Sequence, residues 1–418
     1  MSGIHEKISR IRQSDDAKTV ASNFAWLTVL QVAGYVFPLI TMPYLARVIG
    51  VDGFGKVSFA LSVIVVVQTF VDWGFNFTAT RDVAKNRDDK EQVSRIFSNV
   101  FWARCSMMFL ALAVILLLTA VIPDFRANRA VILVTFLMIP GHIMYPDWFF
   151  QAMERMKYMT ILNVLSRLLF TVLVFIFVKD QDDFILQSLF TSIGFIVSGI
   201  IAMLIIRKWG ISLSGPSFRD MLMTIKGSTD VFINNLMPNL YNNFSNILLG
   251  VFSGSYQTGL LDAGNKFVIV AQQFLAVLSR AFFPFLSRKI ESHSLYTKMN
   301  MSCSLIAGIL LFFFAPLLID LFFTSEFSHS VLLMRILALS LPFMALSNIY
   351  GTNYLILTGH ERELRRITVI GSMIGFLTAF PLVYYWEALG AAINILSARM
   401  LLGCCIAAKA LSIKRNEL

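Results

Sequence analysis

The chain is predicted to be an all-α, polytopic membrane protein of about twelve transmembrane helices arranged as two six-helix lobes. Three observations carry that prediction. Hydrophobic residues make up 57% of the 418 and charged ones only 14%, with 38 phenylalanines and a mean hydropathy of +0.71, a balance that excludes a soluble enzyme. Apolar runs of ~20 residues recur between short charged connectors, the length of a helical crossing, whereas a β-barrel would show ~10-residue alternating segments. A connector near the middle, carrying Gly210, Gly215 and Pro216, divides the runs into two equal sets.

Taken in order, residues 1–21 form a polar lead-in. Ile4, Ile8 and Ile11 share a helical face opposite Lys7, Arg10 and Arg12, a pattern that fits a helix lying on the membrane surface or the solvated start of the first crossing. The first long apolar run begins near Phe24 without a small-residue cleavage pattern behind it and reads as a retained span. Spans are expected at 22–46, 57–79, 98–122, 130–151, 159–179 and 184–206, which make a first lobe over 22–206. A linker follows at 207–228. The second lobe, 229–410, holds spans at 229–252, 256–287, 299–324, 330–358, 364–386 and 388–410, and 411–418 form a tail. Arg47-Val-Ile-Gly-Val-Asp-Gly-Phe-Gly55 after span 1 is matched by the Gly-rich turn from Gly250 to Gly259 after span 7. With six spans between them, the halves are expected as parallel repeats about an axis along the membrane normal.

Lysine and arginine set the orientation. With the N-terminus in the cytoplasm, roughly 24 basic residues fall in inner segments against roughly 5 in outer ones, so both termini are expected to be cytoplasmic. Arg104, Arg167, Lys266, Arg280, Arg335 and Arg399 fall inside spans. Arg104, Arg280 and Arg335 lie near span ends, where long side chains snorkel to the headgroups. Lys266 and Arg399 lie roughly 15 Å deep at 1.5 Å per residue, beyond easy snorkelling.

Polar residues inside the spans mark the expected site. Asn235, Asn239, Asn242 and Asn246 recur at i, i+4, i+7 and i+11 on one stripe of span 7. An unpartnered amide facing lipid costs roughly 2–7 kcal/mol, so the stripe is expected to face a bundle interior or a wet cavity. In span 8, Asp262, Lys266, Gln273 and Arg280 share a face; Asp262 and Lys266 fit either an i,i+4 ion pair or a cavity-facing role. The first lobe offers Gln31 and Tyr35 in span 1, Gln68, Asp72 and Asn76 in span 2, and Asn163 and Arg167 in span 5. His142 fits packing or a proton relay. Trp148, Phe149, Phe150 and Tyr158 suit an interfacial aromatic belt, which leaves the neighbouring Asp147 unexplained. Cys105, Cys303, Cys404 and Cys405 lack metal spacing, and no phosphate-cradling, metalloprotease or serine-hydrolase motif occurs. No metal, enzymatic cofactor or nucleic-acid partner is expected.

The passages from Phe37 to Phe59, from Asp147 to Glu154 (Asp-Trp-Phe-Phe-Gln-Ala-Met-Glu), and from Ala281 to Ser287 resemble Wzx-type O-antigen flippases. These form the polysaccharide transporter branch of the MOP superfamily, which also holds MATE drug exporters and the lipid II flippase. The resemblance implies a MATE-like fold and translocation of an undecaprenyl-diphosphate-linked oligosaccharide from the cytoplasmic to the periplasmic leaflet of a bacterial inner membrane. It implies a cavity between the lobes lined by spans 1, 2, 7 and 8, here with Gln31, Tyr35, Asp72, the asparagine stripe, Asp262, Lys266 and Gln273, and with Arg167 beside them. Proton or sodium coupling is compatible with the family, with Asp72 and Asp262 as the carboxylates that would titrate. Membrane lipid, an O-antigen polymerase and a chain-length regulator are the partners it suggests, and a monomer is the default unit. Two other readings remain open: an organic-cation exporter of the same fold, which would want an excess of carboxylate, and an O-antigen polymerase or ligase, which would want a large periplasmic loop.

Overall fold

The computed structural model describes residues 2–416, without the side chains of residues 2–21, 24, 234, 240, 284, 288 and 416. The amphipathic face expected over 1–21 lies outside the described side chains. Among the described residues every regular element is helical: α1 (Ser2–Asp72), α2 (Phe75–Lys85), α3 (Lys90–Val121), α4 (Pro123–Ala127), α5 (Arg129–Phe136), α6 (Met138–Met144), α7 (Asp147–Ala152), α8 (Met156–Phe177), α9 (Phe184–Lys208), α10 (Phe218–Arg288), α11 (His293–Phe322), α12 (Ser330–Ala338), α13 (Leu341–Leu346) and α14 (Glu361–Asn416).

Nine helical stretches among the described residues are long and apolar enough to cross a membrane. Three of them are far too long for one passage. A helix of 71 residues, the length of both α1 and α10, would extend roughly 107 Å at 1.5 Å per residue. Each of the three breaks at one residue: Gly50 (φ 64°), Gly254 (φ 81°) and Glu387 (φ 48°). Counting two passages for each broken helix, nine stretches make the twelve crossings expected. The connector expected after span 1 is thus a one-residue break, since glycine enters the left-handed region without steric cost. Span 2 is shorter than expected, because Trp73 (φ 41°) and Gly74 (φ 78°) end α1 ahead of α2. Span 4 is built from α5, α6 and α7, and span 10 from α12, α13 and a π-helix over Ser347–Leu355.

The breaks at Gly50 and Gly254 lie together at what is here called the hairpin end, opposite the terminal end. There the lobes cross in a reciprocal pair of contacts. A Cβ on Gly55 would lie 1.7 Å from the Ser255 carbonyl oxygen, and one on Gly259 would lie 2.4 Å from that of Val51. Counted from Gly50 and Gly254, Val51 corresponds to Ser255 and Gly55 to Gly259, so each half makes the same contact with the other. Apolar side chains of both lobes, among them Ile49, Phe54, Leu260 and Phe267, close a common core around this crossing.

From the crossing, spans 2 and 7 run antiparallel in contact toward the terminal end. Asn246 Nδ2 donates to Ser62 Oγ (2.6 Å) and Ser58 Oγ (3.1 Å), and Asn239 Nδ2 to Thr69 Oγ1 (2.9 Å). Trp73 then stacks on Phe232 at 4.0 Å, and the hydroxyls of Thr78 and Ser228 meet at 2.7 Å. The stretch expected as a linker over 207–228 is helical at both ends and extended only across 211–217. That extended part is strapped to α3: Ser212 N–H donates to Ser94 Oγ, Ser214 N–H to Ser98 Oγ, and the Trp102 indole to the Ser214 carbonyl.

Candidate functional site

Where spans 1, 2, 5 and 6 meet span 8, they enclose a cavity of about 280 Å³. Its wall is largely apolar, with Phe37, Pro38, Met42 and Phe54 facing Phe170 and Phe195. Polar groups enter from three helices: Asn163 and Arg167 from α8, Gln187 and Thr191 from α9, and Asp262 and Lys266 from span 8 of α10. Arg167 Nε donates to Asn163 Oδ1, one turn back on the same helix, at 2.7 Å. Among the described residues no carboxylate pairs with Arg167. Gly34 of span 1 leaves it room, since a Cβ there would already lie 4.0 Å from Arg167 Nη2.

Lys266 stands differently. Its Nζ lies 2.9 Å from Asp262 Oδ2 and 5.7 Å from the centre of the Phe54 ring. The two roles weighed for this pair, mutual satisfaction and a place in the cavity wall, hold together. Two cations against one carboxylate leave the cavity with one positive charge uncompensated, inside walls that screen poorly.

The asparagine stripe lies elsewhere, which corrects the expected wall of spans 1, 2, 7 and 8. No described residue of span 7 lines the cavity. Asn239 and Asn246 are taken up by the seam with span 2. Asn242 turns the other way: its Oδ1 accepts from Arg399 Nη2 at 3.0 Å, and its Nδ2 donates to the Pro238 carbonyl. The Asn235 carbonyl accepts from Asn239 Nδ2 at 3.2 Å. A stripe about 100° wide touches more than one neighbour, and here span 2 and span 12 divide it.

Arg399 is only 5% exposed. Ser340 Oγ at 2.8 Å and Asn242 hold it, together with the Gln272 amide turned to accept. It lies behind the cavity wall. Asp72, expected in the cavity, instead pairs with Arg104 at 3.0 Å. Arg104, expected to snorkel, is 3% exposed and also donates to Asn76; a counter-ion one helix away is a cheaper partner than a distant headgroup. Gln31 Nε2 donates to the Tyr35 hydroxyl (2.6 Å) and to Gln273 Oε1 (3.1 Å). These three bridge spans 1 and 8 on the terminal side of the cavity without lining it. Of the expected residues, Arg167, Asp262 and Lys266 are the ones brought together. Gln187 and Thr191 were missed, although two polar residues at i and i+4 in an apolar span are the same signal that singled out span 7.

Comparison with known proteins adds the following. A family model described as polysaccharide biosynthesis protein matches residues 20–290. A protein of Escherichia coli (strain K12) named "Putative O-antigen transporter" is 29% identical over 405 residues, covering 94% of this chain and 96% of its own length. Among solved structures, the lipid II flippase MurJ in an inward closed conformation superposes with a TM-score of 0.74 at 13% identity, over 93% of this chain and 87% of that one. An inward-facing multidrug resistance MATE family transporter of the MOP superfamily gives 0.66 at 15% identity, over 95% of this chain and 100% of that one. At these identities the structural likeness shows the fold.

Proposed function

We propose, from the premise that the chain belongs to the polysaccharide biosynthesis protein family and is a multi-pass membrane transporter rather than an enzyme, that it flips a lipid-linked O-antigen unit across the bacterial inner membrane. The cargo is an oligosaccharide joined to undecaprenyl through a diphosphate. It moves from the cytoplasmic to the periplasmic leaflet as the lobes rock about the crossing at Gly55 and Gly259, with both termini in the cytoplasm.

The observation that carries this reading is the uncompensated positive charge of a cavity containing Arg167 and Lys266. A guanidinium with no carboxylate partner is suited to phosphate oxygens, which it meets through paired N–H donors. Gln187, Thr191 and Asn163 supply hydrogen-bonding groups suited to sugar hydroxyls. The same charge balance disfavours an organic cation as cargo. At about 280 Å³ the cavity is at the small end of ligand sites, room for a diphosphate head but not for several sugars. Loading therefore requires the lobes to separate. The prenyl chain would stay in lipid on the side of spans 1 and 8, because spans 2 and 7 are closed along their length. The transport unit is a monomer, and a polymerase and a chain-length regulator are the partners that would receive its product. Coupling to a proton or sodium gradient would fall to Asp72 more readily than to Asp262, whose charge Lys266 already balances.

The test is leaflet exchange of a defined undecaprenyl-diphosphate-linked oligosaccharide in proteoliposomes, read with a membrane-impermeant probe. Exchange well above protein-free vesicles is expected. A rate equal to protein-free vesicles, with protein correctly inserted, would overturn the proposal.

A further inference from the structure

The first lobe holds a charged cluster outside the cavity. Asp72 on span 2 pairs with Arg104 on α3 at 3.0 Å, and Asn76 takes a second hydrogen bond from the same guanidinium. From the other side, Asp147 and His142 lie within electrostatic reach of Arg104, and Asp147 is near enough to Asp72 for the two carboxylates to repel. Two carboxyl groups and an imidazole thus share one guanidinium. Arg104 is 3% exposed, whereas Asp147 is solvent-exposed, so the cluster has a buried floor and an open mouth. Two buried donors beside it, Arg104 Nε and Trp148 Nε1, have no acceptor. Orphaned buried donors mark places where a water is held, and water is how a proton would arrive.

The cluster also reaches the cavity. Tyr145 stands between Asp147 and Arg167, feels the charge of both, and hydrogen-bonds to Asn163, the residue that carries Arg167 Nε. Its hydroxyl is anchored on the Met159 carbonyl at 2.7 Å. Phe195, a cavity residue, stacks on His142 at 4.1 Å. Cys105, beside Arg104, is the remaining ionisable neighbour among the described residues that this field touches.

We propose that Asp72, Arg104, His142 and Asp147 form a site for one proton whose occupancy sets how strongly Arg167 holds an anionic head group. The inference rests on reading the cavity as a site for a lipid-linked diphosphate. With one proton on the carboxyls or the imidazole the cluster is neutral. Without it, a net negative charge acts through Tyr145 and Asn163 and weakens the positive potential at Arg167. Linkage makes the effect reciprocal: an anion settling at Arg167 draws a proton onto the cluster. Asp147, unexplained by the aromatic belt around it, has its place here, held by the backbone N–H of Trp148 at 2.8 Å.

The test uses the full-length protein in nanodiscs with undecaprenyl diphosphate as probe, in weakly buffered medium carrying a pH indicator. The wild type is expected to take up close to one proton per lipid bound and to bind roughly tenfold more tightly when the cluster is protonated. Asp147→Asn and Asp72→Asn should bind with no pH dependence and no such uptake, and Asp147→Glu should restore both. Binding with the same uptake in wild type and Asp147→Asn overturns the proton site and leaves the cavity reading standing. Absence of binding in the wild type at every pH sinks the cavity reading instead. A measurement without ligand decides the proton site in that case: infrared spectra of the wild type should show a protonated carboxyl band that titrates and is lost in Asp147→Asn or Asp72→Asn. If no such band appears at any pH, or if affinity follows sodium at fixed pH and ignores pH, the proposal is overturned.

Discussion

The two seams between the lobes are counterparts under the internal repeat, yet they are built from different chemistry. Counted from Gly50 and Gly254, Ser58 and Ser62 of span 2 correspond to Asp262 and Lys266 of span 8, and Asn246 of span 7 corresponds to Met42 of span 1. In the seam of spans 2 and 7, small hydroxyls meet one amide at 2.6 and 3.1 Å, and the helices close on each other. In the seam of spans 1 and 8 the same positions hold an ion pair opposite a methionine, and a cavity remains. Farther along, Thr69 and Asn239 correspond to Gln273 and Tyr35, and there the two seams converge again: each pair is joined by amide donors, the second through Gln31. The difference shows how a near-symmetric scaffold acquires one open side. Short neutral partners let backbones approach, as small residues do in membrane helix packing, whereas bulky charged ones hold them apart.

The comparison can be broken or sharpened by experiment. The largest effect should come from locking the crossing that both seams share. Ser255 Oγ donates to Asp52 across the lobes, so Asp52→Cys with Ser255→Cys should form a disulfide that abolishes leaflet exchange until reduced. Unchanged exchange in the oxidised protein would mean that the hairpin end does not open. Next is Arg167→Gln, which keeps hydrogen bonding and removes the charge. Loss of a charge-assisted contact worth roughly 1.5–3 kcal/mol should slow exchange about 10- to 100-fold at unchanged expression. Writing one seam into the other, as Asp262→Ser with Lys266→Ser, should cut exchange roughly tenfold while Arg126→Ala stays near wild type. Equal activity of the two would show that the seams differ in sequence only.

Smaller effects should appear as stability. Asn246→Ala removes the donor shared by Ser58 and Ser62 and should cost about 1–3 kcal/mol, seen as a lower Tm in detergent, with Met42→Ala at the matching position affecting Tm through packing alone. The smallest belongs to a contact outside both seams. Arg87 holds Glu154 at 3.0 Å and keeps its carboxyl below the ordinary value of 4.5. A carboxylate lowered on folding contributes stability at pH above its unfolded value and loses it as pH falls through the folded one. With both side chains partly exposed, Glu154→Gln should cost under about 1 kcal/mol at neutral pH, and the difference should vanish on acidification below that range.

Much of this was legible in the chain itself. Hydropathy and length determine how many helices cross, because crossing lipid demands ~20 apolar residues whatever the neighbours are. The matched turns at Gly50 and Gly254 declared the repeat, because only glycine enters those φ values freely. Helical spacing also declared which polar residues share a face. It could not declare what faces them. Asn239, Asn242 and Asn246 lie on one stripe by periodicity, but span 2 takes two of them and Arg399 the third. Arg104 looked like a span-end cation until Asp72 was found beside it. Periodicity is a property of one helix, set by its backbone geometry, whereas counter-ions, seams and cavities arise only where helices distant in sequence pack. The sequence by itself determined the crossings, the repeat and the need for buried partners; the tertiary structure alone decided which amides became seam, which charges were cancelled, and which guanidinium, Arg167, was left open to a ligand.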